Sequence, residues 1–238
     1  MYELIDKELG RIVITPHNSA KRVIARPMGG YIRLTVPVRF NLKNIPSLLR
    51  ELKPGIMKLK QQSPAFITED HLISTLTFDA RIVRDPFIEK KSLSLKNGKL
   101  HIFVPSLTDI SLPENQKRIK EAIINVLRME AKRVLPEKTA SFAVKLKLSY
   151  NKININSSKS RWGSCSGKKN INYSLFLLLL PEKLIDYVVL HELAHTIEMN
   201  HSDRFWQLLD SFCDGRAKIL RNEVKDYSPN GYQFLTQK

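Results

Sequence analysis

Hydrophobic and polar positions follow the same order in two stretches of the chain that begin before residue 110. The first is GGYIRLTVPVRFNLKNIPSLLREL, and the second is NGKLHIFVPSLTDISLPENQKRIKEAI. Each runs from a glycine turn through an alternating strand that ends in Val-Pro, and then into a helical pattern. KRVIARP and KKSLSLK come just before and are predicted to form hairpins with these strands, through Met-Gly-Gly and Asn-Gly turns. We therefore expect residues 1–110 to form a β-rich N-terminal region, and the repeated pattern suggests an internal duplication.

A long helix is predicted after the second strand, because apolar residues recur there at helical spacing. Pro136 is expected to disturb this helix, which would resume through SFAVKLKL. KININ, RWGSCS and NINYSLFL are then predicted to form a small sheet, in which the apolar run LFLLLL makes a buried strand. The apolar positions of the helix are Ile119, Ile123, Val126, Leu127, Ala131, Val134 and Leu135.

Two further helices are predicted towards the C-terminus. Pro181 and Glu182 suit the first turn of a helix, and Asn200 tolerates the left-handed conformation that ends one. This helix would run from about Pro181 to Met199, and Ser202 is expected to cap the next one. The apolar side of the first carries Leu190, Leu193 and Ile197, and that of the second carries Phe205, Trp206, Leu208, Leu209 and Phe212. The predicted fold class is therefore α+β, and in residues 111–238 helices cover the small sheet.

Length and cysteine usage bound the class of protein. A chain of 238 residues can bury a core as one elaborate domain or two small ones. The N-terminus MYELIDKELGR shows no signal-peptide pattern, and the run LFLLLL is too short to span a membrane, so no membrane partner is expected. Cys165 and Cys213 do not make a disulfide framework, and the predicted compartment is cytoplasmic. Cys165 has no base nearby in sequence, which disfavours it as a nucleophile.

The net charge of +16 is unevenly distributed along the chain. Residues 117–169 hold 14 Lys and Arg against 3 acidic residues, whereas residues 170–238 hold 7 against 9. A basic patch of this kind can bind the phosphate backbone of nucleic acid. It can equally be a solvated face that keeps the protein in solution, because no recognised nucleic-acid-binding motif accompanies the lysines. Both interpretations stay open.

Candidate metal chemistry is concentrated in HELAHTIEMNH, residues 191–201, which carries three of the six histidines. Residues four apart stack on one face of a helix, so His191 and His195 can bind one ion. Zinc in a catalytic site needs a third protein ligand and keeps a fourth position for water. Glu192 lies about 100° around the helix from His191, where it can take a proton from water without binding the metal itself.

The third ligand has two candidates. His201 is favoured over Glu223, because it follows directly after the predicted turn and imidazole commonly completes a zinc site. Glu198 lies about 10 Å along the helix axis from His191, too far to share the ion, and is expected to contact a ligand or solvent instead. The histidine spacing matches the metzincin pattern, but Glu198 stands where that pattern has glycine, so we do not assign the chain to the metzincins.

The segments SRWGSCS, NINYSLFLLLLPEKLIDYVVLHELAH and NHSDRFW resemble the YgjP-like metallopeptidases, which belong with the SprT-like and WLM groups of zinc proteases. The resemblance is strong from about Ser160 to Trp206. It implies a zincin-like catalytic domain in which His191, His195 and His201 bind zinc and Glu192 is the general base. It implies a reaction more firmly than a substrate.

Two classes of function follow from these observations. The first is a zinc-dependent peptidase, and the alternative is a basic, nucleic-acid-associated binding protein with a structural zinc site. Structural sites normally have four protein ligands and only three are evident, which favours the peptidase.

The small sheet suggests how a peptidase would hold its substrate. An extended peptide could add to the sheet edge near Trp162 to Tyr173, or Trp162 and Arg161 could be purely structural. The candidate oxyanion donors are Arg161, Tyr227 and Tyr232.

Overall fold

A computed structural model gives the structure of residues 2–18, 20–28, 31–62, 66–229 and 231–236. This part of the chain is α+β, with a strand-rich region before a helical one, as predicted. Within these ranges no helix is both long and apolar enough to cross a membrane. The chain divides into two compact units, one from the described residues of Met1–Thr68 with Leu107–Arg118, the other from Glu69–Ser106 with Ile119–Thr236. The division into domains 1–110 and 111–238 stays a prediction.

The first unit holds a four-stranded sheet. Its strands are β1 (Tyr2–Asp6), β2 (Gly10–His17), β3 (Ile24–Met28) and β4 (Tyr31–Pro37), in the order β1-β2-β4-β3. The central pair β2/β4 is parallel, and the two outer pairs are antiparallel. The alternating apolar residues of β2 and β4 lie on one face and pack with residues of helix α1 (Ile45–Gln62) in a single core. The predicted β3–β4 hairpin is present, and the Gly-Gly of its turn lies outside the described residues.

The second unit holds a sheet of the same topology. Its strands are β5 (Ile73–Ser74), β6 (Asp79–Asp85), β7 (Ser92–Lys96) and β8 (Lys99–Pro105), in the order β5-β6-β8-β7. The central pair β6/β8 is again parallel and the outer pairs antiparallel. Asn97 and Gly98 have φ values of 51° and 70°, the left-handed pair that the predicted two-residue hairpin turn needs. The shared topology accords with an internal duplication, which stays a prediction.

Helix α2 (Pro113–Leu146) and a third sheet follow. The predicted disturbance at Pro136 is wrong, because α2 continues through it. The sheet contains β9 (Lys152–Asn156), β10 (Gly163–Cys165) and β11 (Asn170–Ser174) in the order β10-β11-β9, so β10 is an edge strand. The predicted strand over LFLLLL is also wrong. Leu175–Leu179 forms a buried 3₁₀ helix, whose first turn is capped by the Ser174 hydroxyl accepting the Phe176 N–H.

Four helices complete the described chain: α3 (Glu182–Ala194), α4 (Asp203–Phe212), α5 (Ala217–Asp226) and α6 (Tyr232–Thr236). α3 ends at Ala194 rather than near Met199, so Ile197 lies beyond it and is 55% exposed. The prediction that Ile197 anchors the helix is therefore wrong, whereas Leu190 and Leu193 are buried as expected. Ser202 caps α4 as predicted, accepting the N–H of Phe205.

Candidate metal centre

Two helix ends and the turn between them bring three histidines together. His191 lies in the last turn of α3, and His195 follows it as the C-cap residue. His201 comes directly before Ser202, the cap of α4, so the short connection returns the third imidazole to the end of α3. Among the described residues, these three form the one group of His, Cys, Asp and Glu side chains close enough to share an ion.

The distances between the imidazoles fit a tetrahedral metal ion. Nε2 of His191 lies 3.2 Å from Nε2 of His195 and 3.1 Å from Nε2 of His201. Two nitrogen ligands at about 2.0–2.1 Å from a tetrahedral zinc ion are about 3.3–3.4 Å apart, so small shifts would complete the geometry. The donor set of three neutral nitrogens also suits a borderline ion such as zinc.

The environment keeps the three rings neutral. Burial, together with the nearby His195, His201 and Arg221, lowers the pKa of His191 to about 3. Burial also lowers the pKa of His195 and of His201. A metal ion binds neutral imidazole, so none of these histidines must lose a proton near pH 7 before it can act as a ligand.

A backbone carbonyl fixes the orientation of His195. Nδ1 of His195 donates a hydrogen bond to the carbonyl oxygen of Glu198 at 3.0 Å. Because a carbonyl can only accept, the proton is on Nδ1 and the lone pair of Nε2 is free. The Glu198 carboxylate is not part of the group of three histidines, and its contact with His195 comes from the main chain, which the sequence could not show.

Phe205 forms an apolar wall that contacts every ring of the cluster. Its ring centroid lies 5.0 Å from that of His191, 4.5 Å from that of His195 and 4.7 Å from that of His201. The Phe205 side chain is fully buried. The sequence indicated it only as part of the apolar side of α4, and its place three residues after the Ser202 cap was the available signal of its position.

Glu192 lies in the same cavity as the histidines. This cavity has a volume of about 240 Å³ and is also lined by Gly163, Ser164, Cys165 and Met199. Glu192 is 4% exposed, and burial raises the pKa of its carboxyl to about 8, against a lowering by the charge of Arg161. Oε2 of Glu192 is buried and has no hydrogen-bond partner in the described part of the chain. A buried carboxylate with an unpartnered oxygen beside a candidate metal site can accept a proton there.

Several other residues considered from sequence lie outside this cluster. Glu223 pairs with Lys183 at 2.5 Å and does not join the three histidines. Cys165 lines the cavity but is likewise outside the group, and burial raises the pKa of its thiol to about 11. The thiol is therefore protonated at neutral pH, which weakens it as a nucleophile. Cys165 and Cys213 are both free.

The three proposed oxyanion donors differ in their environments. The hydroxyl of Tyr232 donates to the carbonyl of Lys159 at 2.7 Å and is already used. Tyr227 follows α5 and is 40% exposed. Of the three, Arg161 is the one whose positive charge lowers the pKa of Glu192.

Trp162 packs in an aromatic group rather than standing free. Its ring centroid lies 5.6 Å from that of Tyr232, which in turn lies 5.6 Å from Phe176. The indole therefore packs against Tyr232, and the cavity is lined by the next residues of the chain, Gly163, Ser164 and Cys165.

Comparison with known proteins gives a match to a family model and matches to solved structures. The family model of the YgjP-like metallopeptidase domain matches residues 21–227. The crystal structure of the metallopeptidase zymogen of Pyrococcus abyssi abylysin is similar over 39% of this chain and 95% of its own, with 24% sequence identity and a TM-score of 0.35. No curated protein matches the chain.

Proposed function

The chain belongs to the YgjP-like metallopeptidase family, and on this premise we propose that it is a zinc peptidase whose general base is Glu192. Membership of the family makes the protein a metallopeptidase, with a metal cofactor and with peptides or proteins as substrates. The finer proposal is that His191, His195 and His201 hold a zinc ion. It is supported by the convergence of three imidazole nitrogens beside a buried carboxylate in one cavity.

The proposed mechanism assigns proton transfer to Glu192. Its Oε2 atom is buried without a partner, so we expect this atom to take the proton of the attacking water and later return it to the leaving amine. A bound zinc ion would supply the positive charge that acidifies the water and polarises the substrate carbonyl. We assign stabilisation of the oxyanion to Arg161, because its charge reaches the cavity and the Tyr232 hydroxyl is used elsewhere.

The edge strand β10 is the proposed support for the substrate. Among the residues that the structure describes, β10 pairs with a strand on one side only, and its residues line the cavity. A peptide in extended conformation could pair with the other edge through backbone hydrogen bonds that do not depend on its sequence. Because the Trp162 side chain packs on Tyr232, we propose that the backbone of β10, rather than the indole, contacts the substrate.

The alternative is a structural zinc site in a binding protein. In the described ranges, no fourth His, Cys, Asp or Glu joins the three histidines, and a structural zinc site normally has four protein ligands. The alternative is therefore less well supported. Nucleic-acid binding by the basic region 117–169 stays a prediction, and two of its cations already have acidic partners: Lys138 with Glu182 and Asp186, and Arg133 with Glu130.

Metal analysis and hydrolysis of a denatured protein mixture test the proposal. We expect Glu192→Gln to retain one zinc ion per chain and to lose hydrolysis by about 100-fold or more, the usual contribution of a general base. Glu223→Gln is the matched control, because this carboxylate pairs with Lys183 and lies outside the cluster. It should keep both zinc and activity. Equal hydrolysis by the wild type and Glu192→Gln would exclude Glu192 as the base.

A further inference from the structure

Gly163 and Glu192 approach each other more closely than any other residue at position 163 would allow. A Cβ atom built on Gly163 would lie 2.5 Å from Oε1 of Glu192, 2.8 Å from its Cγ and 2.9 Å from its Cδ. Carbon atoms at such positions normally stay near 3.5 Å or beyond, so the Glu192 carboxylate would have to move by about 1 Å. The three atoms nearest to the added Cβ all belong to Glu192.

Backbone conformation does not explain this glycine. Gly10, Gly98, Gly215 and Gly231 have positive φ values, but Gly163 does not. Gly163 lies in β10 and pairs with Tyr173 of β11, a strand conformation that any residue can adopt. Alanine in such a strand position is normally tolerated as well as glycine or better, because glycine loses more conformational freedom on folding. Position 163 therefore requires glycine because a Cβ atom there would collide with the Glu192 side chain, and not because of its backbone conformation.

That side chain has little room to move elsewhere. Glu192 is 4% exposed, and its neighbours in the α3 sequence are the partly buried His191 and the core residue Leu193. Its carboxylate lies in the cavity with the three histidines. A displacement of the carboxylate would therefore change its position relative to the candidate ligands rather than release it to solvent.

We propose that Gly163 is a positioning residue for Glu192: the bare backbone of β10 sets the place of the carboxylate beside the three imidazoles. This inference rests on the proposed function, since the place of the carboxylate matters for hydrolysis only if Glu192 is the base. The backbone of β10 would then have two roles, since it positions Glu192 and is also the proposed support for the substrate. Gly163 acts through Glu192 and does not itself transfer a proton.

The kinetic test uses Gly163→Ala with Gly167→Ala as its matched control. Gly167 belongs to the same segment, has no positive φ, and a Cβ there would meet nothing within 4 Å. We expect Gly163→Ala to keep its zinc content and KM but to lose about 10- to 100-fold in kcat, the usual effect of moving a catalytic group by 1 Å. Gly167→Ala should match the wild type. A raised KM with unchanged kcat would overturn the proposal, because it would mean that the new methyl group only obstructs the substrate.

A double-mutant cycle tests the contact without any assay of activity. Thermal unfolding of the metal-free protein is compared for wild type, Gly163→Ala, Glu192→Ala and the double variant. We expect Gly163→Ala to lower the unfolding midpoint in the wild-type background but to leave it unchanged or raise it in Glu192→Ala, where the clashing atoms are gone. An equal change in both backgrounds would overturn the inference. This cycle remains decisive even if the protein hydrolyses no peptide, so failure of the two proposals can be told apart.

Discussion

Phe205 shows how a single apolar residue can define a polar site. Its ring lies within 5.0 Å of the centroids of all three imidazoles and is stacked on His195 with an interplanar angle of 26°. A flat apolar surface behind the rings limits their rotation, so the nitrogens stay directed at one point. The hydrogen bond from His195 Nδ1 to the Glu198 carbonyl also restricts the rotation of the His195 ring.

Replacing Phe205 with leucine should weaken metal binding beyond its effect on folding. We expect the zinc affinity, measured by competition with a chromophoric chelator, to fall about tenfold, the lower end of the usual effect of losing a group that orients a ligand. Leucine fills part of the space but gives no flat surface for three rings. The free energy of unfolding should fall by about 1–2 kcal/mol.

Phe176→Leu separates the two effects. Phe176 is also buried in the second unit, but it contacts Tyr232 rather than the histidines. It should lose a similar free energy of unfolding and keep the zinc affinity of the wild type. Equal zinc affinities for Phe205→Leu and Phe176→Leu would show that Phe205 supports the fold alone.

At the residue scale the sequence predicted the polar side of the site better than its surroundings. Helical spacing and the short turn were enough to bring His191, His195 and His201 together. The contributions of Gly163 and of the Glu198 carbonyl come from the main chain, which leaves no side-chain signal in the sequence. Such contacts depend on where a strand passes, and periodicity does not determine this.

Elements were predicted best where their pattern was long and alternating. β4 and β8 each bury every second residue, and both begin and end within two residues of the expected places. The run LFLLLL carries no period, so it is compatible with a strand, a helix or a 3₁₀ turn. The structure has the 3₁₀ form because the Ser174 hydroxyl caps the first turn, a local contact that outweighs the strand preference of the sheet before it.

Pro136 gives a prediction at the element scale. It stands inside α2, where it cannot donate the hydrogen bond that an N–H would give to the carbonyl of Lys132. Pro136→Ala should restore that bond, while it loses the rigidity that proline gives to the unfolded chain. We expect a net gain of about 1–2 kcal/mol in the free energy of unfolding, measured by denaturant titration.

Pro113→Ala is the control for this gain. Pro113 is the first residue of α2, where a missing N–H costs nothing because the first turn has no intrahelical acceptor for it. Pro113→Ala should leave the free energy of unfolding unchanged or lower it slightly. A gain of the same size at both positions would mean that the missing N–H at Pro136 does not lower the stability of α2.

At the scale of the whole molecule, the hairpins formed by the two Val-Pro strands follow from sequence, whereas the strand order of their sheets and the contacts of the C-terminal segment do not. Both Val-Pro strands become the inner parallel partner of a four-stranded sheet. In contrast, nothing in YQFLT predicts that α6 packs against the segment before β10. Tyr232 is 73 residues from Lys159, and only the folded chain brings the two together.

Tyr232 and Trp162 therefore carry a last prediction, in which a remote segment stabilises the strand beside the site. Tyr232→Phe removes only the hydrogen bond to the Lys159 carbonyl and should cost about 0.5–1.5 kcal/mol. Tyr232→Ala also removes the ring contacts with Trp162 and Phe176 and should cost about 2–4 kcal/mol. Because the two rings stabilise one another, Tyr232→Ala and Trp162→Ala together should cost less than their sum, by about 0.5–1.5 kcal/mol.

The control pair combines Trp162→Ala with Tyr150→Ala, since Tyr150 is half-buried in the same unit and makes no ring contact with Trp162 in the described part of the chain. The losses in the free energy of unfolding from Trp162→Ala and Tyr150→Ala should add. If the losses from Tyr232→Ala and Trp162→Ala also added, α6 would not support the β10 segment. Turnover of Trp162→Ala per folded molecule should equal that of the wild type, because the indole packs on Tyr232 and leaves the substrate to the strand backbone; a fall in turnover without a fall in stability would instead place the indole against the substrate.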